Sequence, residues 1–154
     1  MSKNNPKEIY IHCSASPDSR DSVDAAEIDQ WHKERGWDGI GYHWVIKRDG
    51  TCERGRSELV QGAHARGFNK DSLAICLVGD RHFTATQMSM LCLLLYSITN
   101  RYNISADKIK CHYQVTDKKT CPNIPVEAIR TMFMFYKMSV LHPTPQKVIK
   151  PRSF

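Results

Sequence analysis

The chain lacks long hydrophobic runs. Stretches such as Met90–Leu95 fall far short of the ~20 apolar residues a helix needs to cross a bilayer, so no transmembrane segment is expected. The first residues, Met1–Pro6, contain no apolar core of the kind that marks a secretory signal, so export by that route is not expected and a reducing compartment is. The six cysteines are therefore expected to be buried, catalytic or metal-bound rather than paired in disulfides. There is no internal repeat and no linker that would split the chain. No helix-turn-helix, zinc finger or basic-aromatic platform is evident, and direct nucleic-acid binding is not expected. Acidic residues are missing after Leu141, so 142–154, with Lys147, Lys150 and Arg152, reads as a basic tail, expected to be flexible.

What is present fits one α/β domain. At 154 residues the chain can bury a core without disulfide staples, and 25% charged residues is ordinary for a soluble globular protein. The net charge of +6 favours anionic partners, although plain solubility explains it as well. Glu8–His12 alternates as a strand. Ala25, Ile28 and Trp31 recur at helical spacing between Asp24 and Arg35, with Gly36 as a stop. Tyr42–Arg48 reads as a strand leading to a two-residue hairpin turn at Asp49-Gly50 and a partner strand over 51–54. Leu73–Val78 is continuously apolar, as a central strand buried on both faces would be.

Thr84 and Gln87 form a capping-box pattern ahead of an amphipathic helix carrying Met88, Leu91, Leu95, Ile98 and Tyr102. Ile109–Cys111 is a short strand candidate. Pro125 suits the first turn of a last helix with Val126, Ile129, Phe133 and Tyr136 on one face. Strands and helices mixed in this way imply a central mixed β-sheet flanked by helices.

Three residues stand out chemically. His12 ends the first strand, and His112 and Cys121 flank a loop some hundred residues later. Two imidazoles and one thiolate are a known catalytic zinc set, and three protein ligands leave a position open for water. Taken singly, a histidine is more often a surface or satisfied core residue, and a cysteine a small buried hydrophobe. A structural zinc finger is disfavoured because Cys111-His112 and Cys121 lack a second close pair. If a metal is held, Lys119 is placed to meet a developing oxyanion and Tyr42 to orient water or carry a proton. Without one, Lys119 is a solvated charge and Tyr42 a packing residue. Cys13 should point away from the ligands if the strand continues past His12.

Read in order, Ile11–Ala15, Ile28–Trp37, Gly41–Thr51, Gly62–Asn69, Leu77–Gly79 and His112–Pro122 resemble the type 2 N-acetylmuramoyl-L-alanine amidases, and among them the small phage lysozymes of the T7 type. The similarity is collinear over about residues 8–137. It implies a zinc amidase domain over 1–141 with the peptidoglycan-recognition-protein fold, and one Zn2+ on His12, His112 and Cys121. Tyr42 and Lys119 would be catalytic, Lys119 being placed by its distance from Cys121, and His64 and Asn69 would lie on the rim of the substrate groove.

The implied activity is that of a monomeric endolysin cleaving the amide between N-acetylmuramic acid and L-alanine, released from the host cytoplasm through a holin or by lysis. A second role, binding and inhibiting a phage RNA polymerase, is implied for T7-type members. Two rivals stand beside this: a peptidoglycan-binding module without catalysis, against which Cys121 speaks, and a regulator of polymerase or nucleic acid.

Overall fold

The computed structural model describes residues 2–143. Five strands, β1 (Glu8–Cys13), β2 (Trp44–Ile46), β3 (Cys52–Arg54), β4 (Ser72–Leu77) and β5 (Ile109–Cys111), form one sheet in the order β3-β2-β4-β1-β5. Only the β2–β3 pair is antiparallel; β4 with β2, β1 with β4 and β1 with β5 are parallel. The central mixed sheet flanked by helices is thus as expected. Helix α1 (Ala25–Glu34) covers one face, and α2 (Ala85–Tyr102) and α3 (Val126–Leu141) cover the other.

β4 lies in the middle with all six residues buried, which is why its sequence is apolar without alternation. In β1, successive side chains serve different layers. Ile9 and Ile11 join the α2–α3 core, together with Leu73, Ile75, Leu91, Leu95, Ile98, Ile129 and Phe133. Tyr10 and His12 emerge on the α1 side. A smaller cluster there contains Val23, Ile28, Val45, Cys76 and Val78.

Helix ends follow local chemistry. Asp24 caps α1 by accepting from the Glu27 N–H, and the Thr84–Gln87 box closes α2 in both directions. Tyr136, on the last helix's expected inward face, meets Tyr96 of α2 edge to face. Two expectations need correcting. The strand predicted over Tyr42–Arg48 is regular only from Trp44 to Ile46. Before Trp44, the N–H groups of Gly55 and Arg56 donate to the His43 and Tyr42 carbonyls, in a stretch where a Cβ at Gly55 would sit 2.4 Å from the Tyr42 oxygen. The hairpin turn is also longer than two residues: Lys47 N–H donates to Thr51 O, and Gly50, at φ +86°, closes a loop over residues 48–50.

Candidate active site

At the carboxyl end of β1 the sheet runs out of partners unevenly. β5 stops opposite Ile11, so the Cys13 N–H on that side has no strand to bond. Cys121 Sγ accepts it at 2.9 Å. The loop that brings Cys121 there begins at His112, in a 3-10 turn (His112–Val115) directly after β5, and is closed by Tyr113 N–H donating to Cys121 O at 3.0 Å. His12 comes from β1 itself. The outcome is that one donor atom each from His12, His112 and Cys121 lie within 4.8 Å of one another. The His12 and His112 rings are 4.4 Å apart between centroids.

This set suits a soft-to-borderline divalent cation such as zinc. His12 is fully buried, and its Nδ1 has no hydrogen-bond partner among the described residues. A buried polar atom left in that state is costly unless something else satisfies it. Both imidazoles are held below the ordinary histidine range, His12 by burial and then by His64 and His112, and His112 by burial and then by the Lys119 charge. They are neutral, as ligation requires. The Cys121 thiol is held well above the usual range by the neighbouring Cys13 thiol and by burial. A cation would have to displace that proton. Cys13 stands outside the ligand cluster, as expected, but past the end of β5 the 121 loop crosses the tip of β1, and Cys121 Sγ meets the Cys13 backbone at its N–H and its carbonyl.

Tyr42 packs against His12 with ring centroids 5.1 Å apart. Burial, then the nearby thiols of Cys76, Cys121 and Cys13, push its phenol well above the usual range, so it keeps its proton at neutral pH. Lys119 is exposed at the mouth of the site, and its charge reaches His112.

His64 and Asn69 are each held by specific hydrogen bonds close to the ligand cluster. His64 is only 8% exposed, and both its ring nitrogens are engaged: Nδ1 with His12 Nε2 at 3.1 Å and Nε2 with Ser72 Oγ at 3.0 Å. Asn69 Oδ1 accepts from the His64 and Ala65 N–H groups, fixing the loop that carries His64. Gly62 makes room for it, since a Cβ there would sit 2.6 Å from the His64 ring and 2.9 Å from His43.

Other residues went unnoticed in the sequence. His32, on the buried face of α1, accepts the Gly41 N–H on Nδ1 and packs tilted against Tyr42 with ring centroids 5.3 Å apart. Its place four residues after Ile28 was the available signal. His43 takes the Ala74 N–H on Nδ1 and pairs with Val60 O through Nε2, tying the Tyr42 segment to β4. Asp18 gathers the N–H groups of Asp80, Arg81 and His82 and so anchors the loop after β4; no pattern marked it. All six cysteines are free. Burial pushes the Cys111 thiol up to about 12 and Cys52 to about 11, which makes them packing residues rather than nucleophiles.

Against this geometry, the model of the N-acetylmuramoyl-L-alanine amidase family matches residues 2–124. The endolysin of Enterobacteria phage T3 is 43% identical over 127 residues, which span 77% of this chain and 82% of that protein. Among solved structures, the amidase LysC from Clostridium intestinale superposes with a TM-score of 0.75 at 37% identity, over 83% of this chain and 85% of that one. A peptidoglycan recognition protein-LE, in complex with a monomeric diaminopimelic acid-type peptidoglycan, matches at a TM-score of 0.71 and 27% identity, over 84% and 81%. A family match over most of the described residues, beside a relative this similar along most of its own length, has one reading: the chain belongs to the N-acetylmuramoyl-L-alanine amidase family.

Proposed function

We propose that this protein is a zinc-dependent phage endolysin that hydrolyses the amide between N-acetylmuramic acid and L-alanine. The observation that carries the metal is the convergence of His12, His112 and Cys121, together with a buried His12 Nδ1 that has no partner among the described residues. A zinc ion held by these three would act as a Lewis acid and make water a nucleophile near neutral pH. The remaining work falls to the chain. Tyr42, protonated and against His12, can orient the attacking water and pass a proton towards the leaving nitrogen. Lys119 brings a positive charge to the site mouth, where the carbonyl oxygen gains charge in the transition state. His32 and His43 hold the Tyr42 segment from either side, through the Gly41 and Ala74 N–H groups.

The substrate class is supported by the family match and by the muropeptide-bound neighbour. We take 1–141 as the amidase domain, a bound supported by α3 ending at Leu141, and 142–154 as the basic tail, of which residues 144–154 lie outside the described residues. We take the protein to act as a monomer released from the host cytoplasm by a holin-type route, a reading supported only by its similarity to a phage endolysin. No described helix is long and apolar enough to cross a membrane. The polymerase role that the resemblance implies is a separate activity, and inhibition of a phage-type RNA polymerase in a transcription assay tests it.

Mass spectrometry of purified peptidoglycan digests tests the main reading. Fragments with a new L-alanine amino terminus should appear, vanish on chelation and return with added zinc. Undiminished release after complete zinc removal would defeat the reading, and a protein purified without zinc or activity would favour a binding module. Lys119→Ala should keep zinc yet lose about 10²–10³ in turnover.

A further inference from the structure

We infer that His64 and Ser72 are positioning residues that fix the tautomer of His12 and thereby aim its Nδ1 lone pair into the ligand cluster. The inference rests on the zinc reading above and adds two residues to it.

The chain of bonds can be followed from its far end. Ser72 Oγ donates to the Phe68 carbonyl at 2.6 Å, and a serine has a single hydroxyl proton. Its oxygen can then only accept from His64 Nε2, 3.0 Å away. A neutral imidazole carries one N–H, so His64 Nδ1 is left as an acceptor. Its partner at 3.1 Å is His12 Nε2, which must supply the proton. His12 is thereby left with a bare Nδ1, the buried atom that has no partner among the described residues.

Reversing any link would set two acceptors or two protons against each other in a buried space. The carbonyl of Phe68, which cannot change its role, therefore selects the ligating nitrogen of His12 through two side chains. The loop is held for this by Asn69 on the His64 backbone and by the missing side chain at Gly62. Outer partners of metal-bound histidines commonly change metal affinity by about 10- to 100-fold.

Zinc affinity by chelator competition, together with ring-nitrogen NMR of the zinc-loaded protein labelled in histidine, tests the relay. The wild type should show protons on Nε2 of both His12 and His64. His64→Phe and Ser72→Ala should each weaken zinc binding by about 10- to 100-fold, while His64→Gln, whose amide oxygen can still accept from His12, should recover much of the loss. A proton on Nδ1 of His64 overturns the relay, as does affinity in both variants within twofold of wild type. Should His64→Phe fail to fold, Ser72→Ala and the wild-type spectrum decide alone. A folded wild type without zinc affinity would overturn the underlying reading as well, whereas wild-type affinity unaltered by the variants overturns the relay only.

Discussion

The two faces of the sheet are built on opposite terms. Behind it, Ile9, Ile11, Leu73, Ile75 and Leu77 meet α2 and α3 in one apolar cluster without a buried histidine. In front, a smaller cluster under α1 adjoins four buried histidines, His12, His32, His43 and His64. Each of those rings is bonded to a specific backbone or side-chain group, because a buried imidazole without partners is destabilising. The difference shows a division of labour within single strands. The back layer supplies the hydrophobic stabilisation that lets the front layer hold a polar, pre-arranged site.

If that division is real, the two faces should be separable by substitution. The largest effect should come from Cys121→Ser. The hydroxyl can still take the Cys13 N–H, so the thermal transition should stay close to that of the zinc-free wild type, while zinc and amide hydrolysis are lost altogether. A comparable drop in melting temperature would mean the site and the core are not independent. The converse is Ile75→Ala, which should cost about 2–5 kcal/mol in denaturant unfolding and leave the zinc affinity of the folded protein unchanged.

The smallest effect lies within the front layer, at His32, whose burial, aided by Arg35, pushes its pKa down to about 4. A histidine depressed when folded is neutral there and protonates first in the unfolded chain. Its contribution is complete above pH 6.5 and is lost as the pH falls towards 4. His32→Asn, which keeps an acceptor for the Gly41 N–H, should flatten the pH dependence of stability in that window. An unaltered slope would show that His32 does not titrate on unfolding.

The back layer was legible because its rules are local and periodic. The run Leu73–Val78 announced β4, the Thr84–Gln87 box announced α2, and Asp49-Gly50 announced the hairpin if not its length. Among the ligands, the meeting of His12, His112 and Cys121 was anticipated from resemblance, since nothing in their spacing encodes a shared location. What stayed hidden depends on loops without periodicity. The stretch between β3 and β4 carries no repeating pattern, so the sequence did not reveal that it tucks His64 behind His12. The pairing of the early chain with it, through the Lys3–Val60 bridge and Asn4 donating to the Glu58 and Ser72 carbonyls, was equally silent. Ser72, just outside the apolar run at Leu73–Val78, carries no signal in the sequence, yet its hydroxyl ends the relay.

The alternation along β1 has a consequence for how such a protein can change over time. Gaining or losing one residue between Glu8 and His12 would rotate isoleucines into the cleft and the ligand into hydrocarbon, disabling chemistry and folding in a single event. Descendants are free to lengthen or trim the surface connections, but the parity of this one segment is inherited intact or the lineage ends.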